Sequence, residues 1–322
     1  MPKDRRSGHI NLLCDQVLTY YVFPEVARDI VGVLRARLDE GRYAGLADDE
    51  AFAAAVTEDL QSVNGDKHLR LLYSVDPIPE QEGDEFFDAA LYRAETELAG
   101  HGFARVERLD GNVGYLDTRQ MARADVAGQA AIAAMNLVAF TDALIIDVRR
   151  NGGGDPAMVA LLCSYLFDEA THLNDIYDRP SGDTAQSWTL PFVPGPRFGG
   201  TKPVYVLTSG TTFSGAEELA YDLQTRKRAT VVGERTRGGA HPGVRYRVDA
   251  HLKSAVPSGR AINPVTGTNW EGVGIAPDID LPAERAFDHA YGLALRHVLE
   301  LGDEGARRGV AAEARQALAR LG

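Results

Sequence analysis

The sequence predicts an α/β protein with a mainly helical N-terminal portion, and three observations carry that expectation. Apolar residues recur at helical spacing over the first forty positions. Three short continuous apolar runs, DALIIDVR, KPVYVLTS and ATVVGE, have the composition of strands buried on both faces. The first two end in glycine- or hydroxyl-rich turns that open helices, and that alternation implies crossover units and an α/β layer.

Taken in order, Val17, Tyr21, Val22, Val26, Ile30, Val33, Leu34 and Leu38 form the first helical stripe. DDEAFAAAVTEDLQSV predicts a second helix capped by Asp48 or Asp49. NGDKHLRLLYSV reads as a turn and a strand, residues 77–84 as a loop, and residues 85–98 as a helix. FARVERL and VGYLDT, separated by DGN, predict a hairpin. An Ala-rich helix over about residues 122–140 follows, then the strand DALIIDVR, the break NGGGDP and a helix over AMVALLCSYLF. KPVYVLTS leads through TTF into the helix SGAEELAYDLQT, and ATVVGE is the third buried strand. Residues 179–200 read as a surface excursion, and residues from 283 onward as one or two helices. The expected division is a helical domain over residues 1–100 and an α/β core with a helical tail over 101–322.

Composition narrows the function. The 322 residues carry a formal net charge of -12 with no dense Lys/Arg stripe along the chain, which excludes nucleic acid as the expected partner. No run of about 18 apolar residues occurs, so no membrane span is expected. The N-terminus lacks a signal-peptide core, and Cys14 and Cys163 are too few for a disulfide framework. A cytoplasmic protein with buried thiols is the expectation, although a leader removed earlier would leave no trace here. No HExxH pair and no Cys/His spacing suggests zinc, so neither metal nor cofactor is expected.

Two motifs point to chemistry. In VYVLTSGTTFSGAEEL a buried strand delivers Ser214 to a helix start, where unpaired N–H groups and the macrodipole favour a developing oxyanion. The bland reading is an N-cap, with Glu217 completing a capping box. In IIDVRRNGGGDP three adjacent glycines follow a buried strand, which suits close backbone approach to a ligand. The N–H groups of Gly215 and of Gly152 or Gly153 could form an oxyanion hole; a bare glycine turn is the alternative.

DALIIDVRRNGGG, PVYVLTSGTTFSGAEELAYDL, RATVVGERTRGGAHPG and WEGVGIAPDID together resemble the tail-specific, or C-terminal-processing, serine peptidase family. They cover most of residues 111–281 in the family's order. The resemblance implies a crotonase-like spiral ββα core and places the nucleophile at Ser214. Many members use a Ser–Lys dyad, but Gly239 stands at the lysine position here, which puts a lysine base in doubt. The chain is most similar to the branch of interphotoreceptor retinoid-binding protein and its bacterial relatives, with a helical N-terminal portion and no PDZ-sized insert between His68 and Gly111. The tricorn core protease, with serine, histidine and glutamate, offers the other comparison.

A serine hydroxyl needs a base, and imidazole serves near neutral pH. Of eight histidines, His68 and His241 have motifs around them. His68, after the Gly65–Asp66 turn, matches the tricorn-like histidine. His241, two residues past the vanished lysine position, is the alternative base or a substrate contact. Glu271 resembles the acidic member, and Asp66 and Glu217 read as a turn residue and a helix-start residue.

The expected function is therefore acyl transfer on peptide or unfolded-protein substrates, with Ser214 as nucleophile, His68 as base and Glu271 supporting it. The competing class is a non-catalytic binder of an apolar small molecule such as a retinoid or fatty acid. Oligomeric state and cleavage specificity have no signature in the sequence.

Overall fold

The first apolar stripe is split between two helices. Pro24 has no N–H to continue a helix and sits at the first helical position of the second, so the chain breaks over residues 21–23. The computed structural model of the chain describes residues 3–80 and 87–321. Within them α1 (Lys3–Tyr20), α2 (Pro24–Asp39) and α3 (Asp49–Gln61) are followed by β1 (Arg70–Tyr73) and α4 (Ala89–Leu98). The hairpin β2 (Phe103–Leu109) and β3 (Val113–Thr118) precedes α5 (Ala124–Val138), β4 (Ala143–Asp147) and α6 (Pro156–Ser164). Then come β5 (His172–Asp178), β6 (Thr184–Trp188), β7 (Val204–Thr208), α7 (Gly215–Thr225) and β8 (Thr230–Gly233). The chain closes with β9 (Gly243–Arg247), β10 (Leu252–Pro257), β11 (Gly259–Ile262), β12 (Ile279–Asp280), α8 (Ala283–Glu300) and α9 (Arg307–Leu321).

Contacts divide the chain into two units. The smaller holds residues 1–89, 176–185 and 239–262, and the larger holds 90–175, 186–238 and 263–322. The N-terminal helices are thus completed by strands from much later in the chain, a division that differs from the linear one expected at residue 100. In the smaller unit β1, β10 and β9 form an antiparallel sheet. Its inner face, Leu71, Tyr246, Leu252 and Val256, packs with Leu13, Val17, Ile30, Leu34, Phe52 and Leu60 of the helices. Asp48 caps α3 by accepting the Ala51 N–H at 2.8 Å.

The larger unit is built on a six-stranded sheet of order β12-β8-β7-β4-β3-β2, parallel apart from the β2–β3 hairpin. Every residue of β3, β4 and β7 is buried, as expected of central strands covered on both faces. One face packs on α8 and α9 through Ala290, Ala294, Leu295, Val298 and Ala314. The three buried runs, and the helices that follow the first two, fall where the sequence puts them. Residues 179–200 do not form a bare excursion, because β6 occupies 184–188. The predicted helix over 85–98 begins at Ala89; residues 85 and 86 lie outside the described residues. Between His68 and Gly111 the described residues hold β1, α4, a single 3₁₀ turn and β2, which leaves no PDZ-sized unit there. Cys14 and Cys163 are both buried and unbridged.

Candidate active site

Ser214 stands where β7 has ended and α7 begins, and its backbone is the most unusual feature of that junction. Its φ is 54° and its ψ is −124°, a conformation that an L-residue adopts at a cost of about 1–3 kcal/mol. Glycine would sit there without strain, yet the position holds a half-buried serine. The preceding turn is laced to the end of β4. Ser209 Oγ donates to the Arg149 carbonyl at 2.6 Å, Thr212 Oγ1 to that of Val148 at 2.9 Å, and Phe213 N–H to that of Asn151 at 3.1 Å. Asn151 is anchored in turn by donation from Nδ2 to the Thr118 carbonyl at 3.1 Å.

This lacing brings the glycine run against the serine. A Cβ added to Gly153, whose φ is 102°, would lie 2.6 Å from Ser214 Cβ and 2.9 Å from the Gly215 nitrogen. A Cβ on Gly215 would meet the Gly154 carbonyl oxygen at 2.9 Å. Both glycines are required by the close approach of two backbones. The donors differ in availability. Gly153 N–H is taken up by Asn151 Oδ1 at 2.8 Å, whereas the N–H groups of Gly152 and Gly215 donate to none of the described residues.

Glu217 has a larger part than a helix-start residue usually has. Its fully buried carboxylate accepts the Ser214 N–H on Oε2 at 2.8 Å. On Oε1 it accepts the Thr236 hydroxyl at 2.6 Å and the Gly238 N–H at 2.7 Å. Thr236 is tied onward by the Ile275 N–H, which donates to Thr236 Oγ1 at 2.7 Å. The serine elbow, the loop after β8 and the turn that carries Glu271 are thereby one hydrogen-bonded assembly. Glu271 itself starts that turn, with its N–H on Asn269 Oδ1 at 3.0 Å. The spacing Ser214 to Glu217 is legible as a capping box; the loop partners, about twenty residues on, are not.

Next to Glu217 in the first turn of α7, Glu218 shares a helix face with Asp222 one turn on, at 4% and 0% exposure. Each receives a single amide donor: Asn174 Nδ2 to Glu218 at 3.2 Å, and Asn263 Nδ2 to Asp222 at 3.3 Å. Burial pushes the Glu218 carboxyl up to about 7, with Asn174 opposing and the Asp155 charge adding. Burial and then the Glu218 charge push Asp222 well above the usual carboxylate range. Two charges so placed cannot both be borne, and the pair retains a proton near neutrality.

In the smaller unit, Asp66 organises both candidate bases. It is fully buried, and its Oδ2 lies 2.8 Å from Nδ1 of the buried His241. Its Oδ1 accepts the His68 backbone N–H at 3.0 Å, and the Tyr21 hydroxyl donates to Oδ2 at 3.0 Å. Burial alone would raise the Asp66 pKa; the hydrogen bond and charge of His241, then the charge of His68, outweigh it and hold the carboxyl below its usual value. The Phe23 ring meets the His241 imidazole edge-on at 5.2 Å between centroids. His68 lies half-buried in the turn two residues before β1 rather than on the strand expected there. Asp66 is more than a turn residue, and only the fold, which joins positions 66 and 241, shows it.

A model described as peptidase family S41 matches residues 112–281, which span the whole serine assembly. The chain belongs to peptidase family S41. A second model, the N-terminal domain of S41 peptidases in eukaryotic interphotoreceptor retinoid-binding protein, matches residues 5–97. A carboxy-terminal-processing protease of Bartonella bacilliformis is 27% identical over 186 residues, 53% of this chain and 39% of that relative. The chain therefore spans well under half the length of that curated relative. A lipoprotein from Streptococcus agalactiae shares the fold at TM-score 0.60 and 15% identity, covering 92% of this chain and 98% of that one. The photosystem II D1 C-terminal processing protease does so at TM-score 0.52 and 16% identity, covering 87% and 94%. These likenesses agree with the crotonase-like S41 fold expected from the motifs.

Proposed function

We propose that this S41 chain is a serine peptidase acting on peptide or unfolded-protein substrates. Ser214 attacks the scissile carbonyl, and the N–H groups of Gly215 and Gly152 receive the oxyanion; each such donor lowers the barrier by roughly 3–4 kcal/mol. Gly152 is preferred to Gly153 because the latter's N–H is already engaged. His68 takes the hydroxyl proton, Glu271 supports the imidazole, and the protonated ring assists departure of the amine before water hydrolyses the acyl-enzyme. One observation carries the reading: a serine, not a glycine, occupies φ 54°, ψ −124° beside two glycine backbones.

A second assignment of the base is favoured by one distance. His241 Nδ1 on a buried carboxylate at 2.8 Å is the arrangement that fixes an imidazole tautomer and leaves Nε2 as acceptor. In that version Asp66 orients His241, and His68 contacts substrate. The overall proposal is tested by digesting a peptide library with wild type and with Ser214→Ala. Cleavage by the first alone is expected; cleavage by both removes Ser214 from the mechanism.

A further inference from the structure

The basic residues that look scattered along the chain collect on one face of the β1-β10-β9 sheet. Register pairs Arg70 with Ala255 and Ala255 with Arg245, and in the next row Leu72 with Lys253 and Lys253 with Arg247. Directly opposed residues share a face, so Arg70, Arg245, Arg247 and Lys253 lie on the side away from the buried Leu71, Ser254 and Tyr246. Lys253 and Arg247 are like charges directly opposite one another, a disfavoured placement in a chain of net charge -12. Arg70 is anchored through Nε to the Lys67 carbonyl. Arg247 donates to the Ile78 carbonyl at 3.0 Å and lies 3.7 Å from the exposed Glu80. Arg245 is exposed and makes no ion pair among the described residues. Between Arg70 and Arg245 sits Ala255, whose methyl group leaves a floor about 10 Å wide between two guanidinium-bearing strands.

We propose that this face reads acidic side chains of the polypeptide substrate. The inference rests on the peptidase reading above and names its substrate class. Arg70 follows His68 by two residues and Arg245 follows His241 by four. Extended chain of that length reaches roughly 7 and 13 Å, so an acidic residue on the cradle lies within about four residues of the bond being cut, whichever histidine is the base. β9 pairs only with β10 among the described residues, so its other edge can accept an extended peptide and carry alternate side chains over the cationic rows. A carboxylate over Ala255 would face Arg70 and Arg245.

The test uses blocked peptides, amidated at the C-terminus, that differ only in Glu against Gln at positions within four residues of the cleaved bond. Binding to full-length Ser214→Ala is read by fluorescence anisotropy, and kcat/KM is read with wild type. The expected result is a preference of about tenfold or more for Glu, shrinking in 1 M salt, where the Debye length is about 3 Å. Arg245→Glu and Arg245→Glu/Arg247→Glu should erase that preference, with the loss falling at least about tenfold more heavily on the Glu peptides than on the Gln peptides. Equal binding of Glu and Gln peptides, a preference that survives both variants, or a preference that appears only with a free terminal carboxylate would overturn the proposal. Glu-selective binding without any cleavage by wild type would sink the peptidase reading and leave the cradle standing.

Discussion

The serine elbow and the Asp66–His241 pair place their groups by opposite means. At the elbow everything that matters is backbone: a strained serine, two glycines at van der Waals distance, and a carboxylate that holds the Ser214 N–H. In the smaller unit the positioning is by side chains from residues 175 positions apart, gathered around one buried carboxylate. The backbone device is specified by short contiguous motifs. The side-chain device exists only once β9 and β10 have joined the N-terminal helices. A site of the first kind tolerates almost no change of residue at its glycines, whereas one of the second kind depends on the side chains that the fold gathers.

The largest expected effect lies with the histidines. His68→Ala should reduce kcat by at least about 100-fold, the lower end for acid–base groups, with a smaller loss for His241→Ala. The reverse order would move the base to the Asp66–His241 pair. Next comes the elbow. Glu217→Gln sets an amide N–H against either the Ser214 or the Gly238 N–H, so kcat should fall by roughly 10–100-fold with KM little changed. Equal losses in kcat and in thermal stability across an unchanged pH profile would show instead a general packing role.

The third expectation concerns pH. The Glu218 carboxyl is raised from its ordinary 4.5 to about 7, so the folded state keeps a proton that the unfolded chain releases. Stability from this group is complete below about pH 4.5 and is lost as pH rises towards 7, after which it levels. Glu218→Gln should flatten that slope and raise the melting temperature at pH 8 by roughly 3 °C or more. An identical pH profile in the variant would place the shared proton elsewhere. Smallest of all is the cost of the strain itself. Ser214→Gly, although inactive, should be more stable than Ser214→Ala by about 1 kcal/mol, because only glycine relaxes at positive φ.

How much of this was legible follows from the same contrast. DALIIDVR, PVYVLTS and ATVVGE are buried on both faces and uninterrupted, so each declares itself as a central strand, and the turns after the first two carry the serine and the glycines. Pro24 was a readable helix start, yet the apolar stripe runs through it and suggests one helix. The hairpin of β9 and β10 does have a signal, in the alternation of Val244, Tyr246 and Val248 followed by Leu252, Ser254 and Val256. What no local pattern conveys is that this hairpin belongs with residues 1–89. Asp66 could not be told from an ordinary turn residue, nor the basic face from scattered charges, until that pairing was known. The Thr236 and Gly238 partners of Glu217 were hidden for the same reason: a loop after β8 has to fold back on the helix start.

Catalysis here requires the hydroxyl of Ser214 to be a nucleophile. A fluorophosphonate probe, followed by digestion and mass mapping, measures that directly in the intact chain. One adduct is expected, on the peptide containing Ser214, with none in a Ser214→Ala protein that keeps its circular dichroism and melting temperature. An adduct that persists in that variant, or folded wild type that never labels, would contradict it.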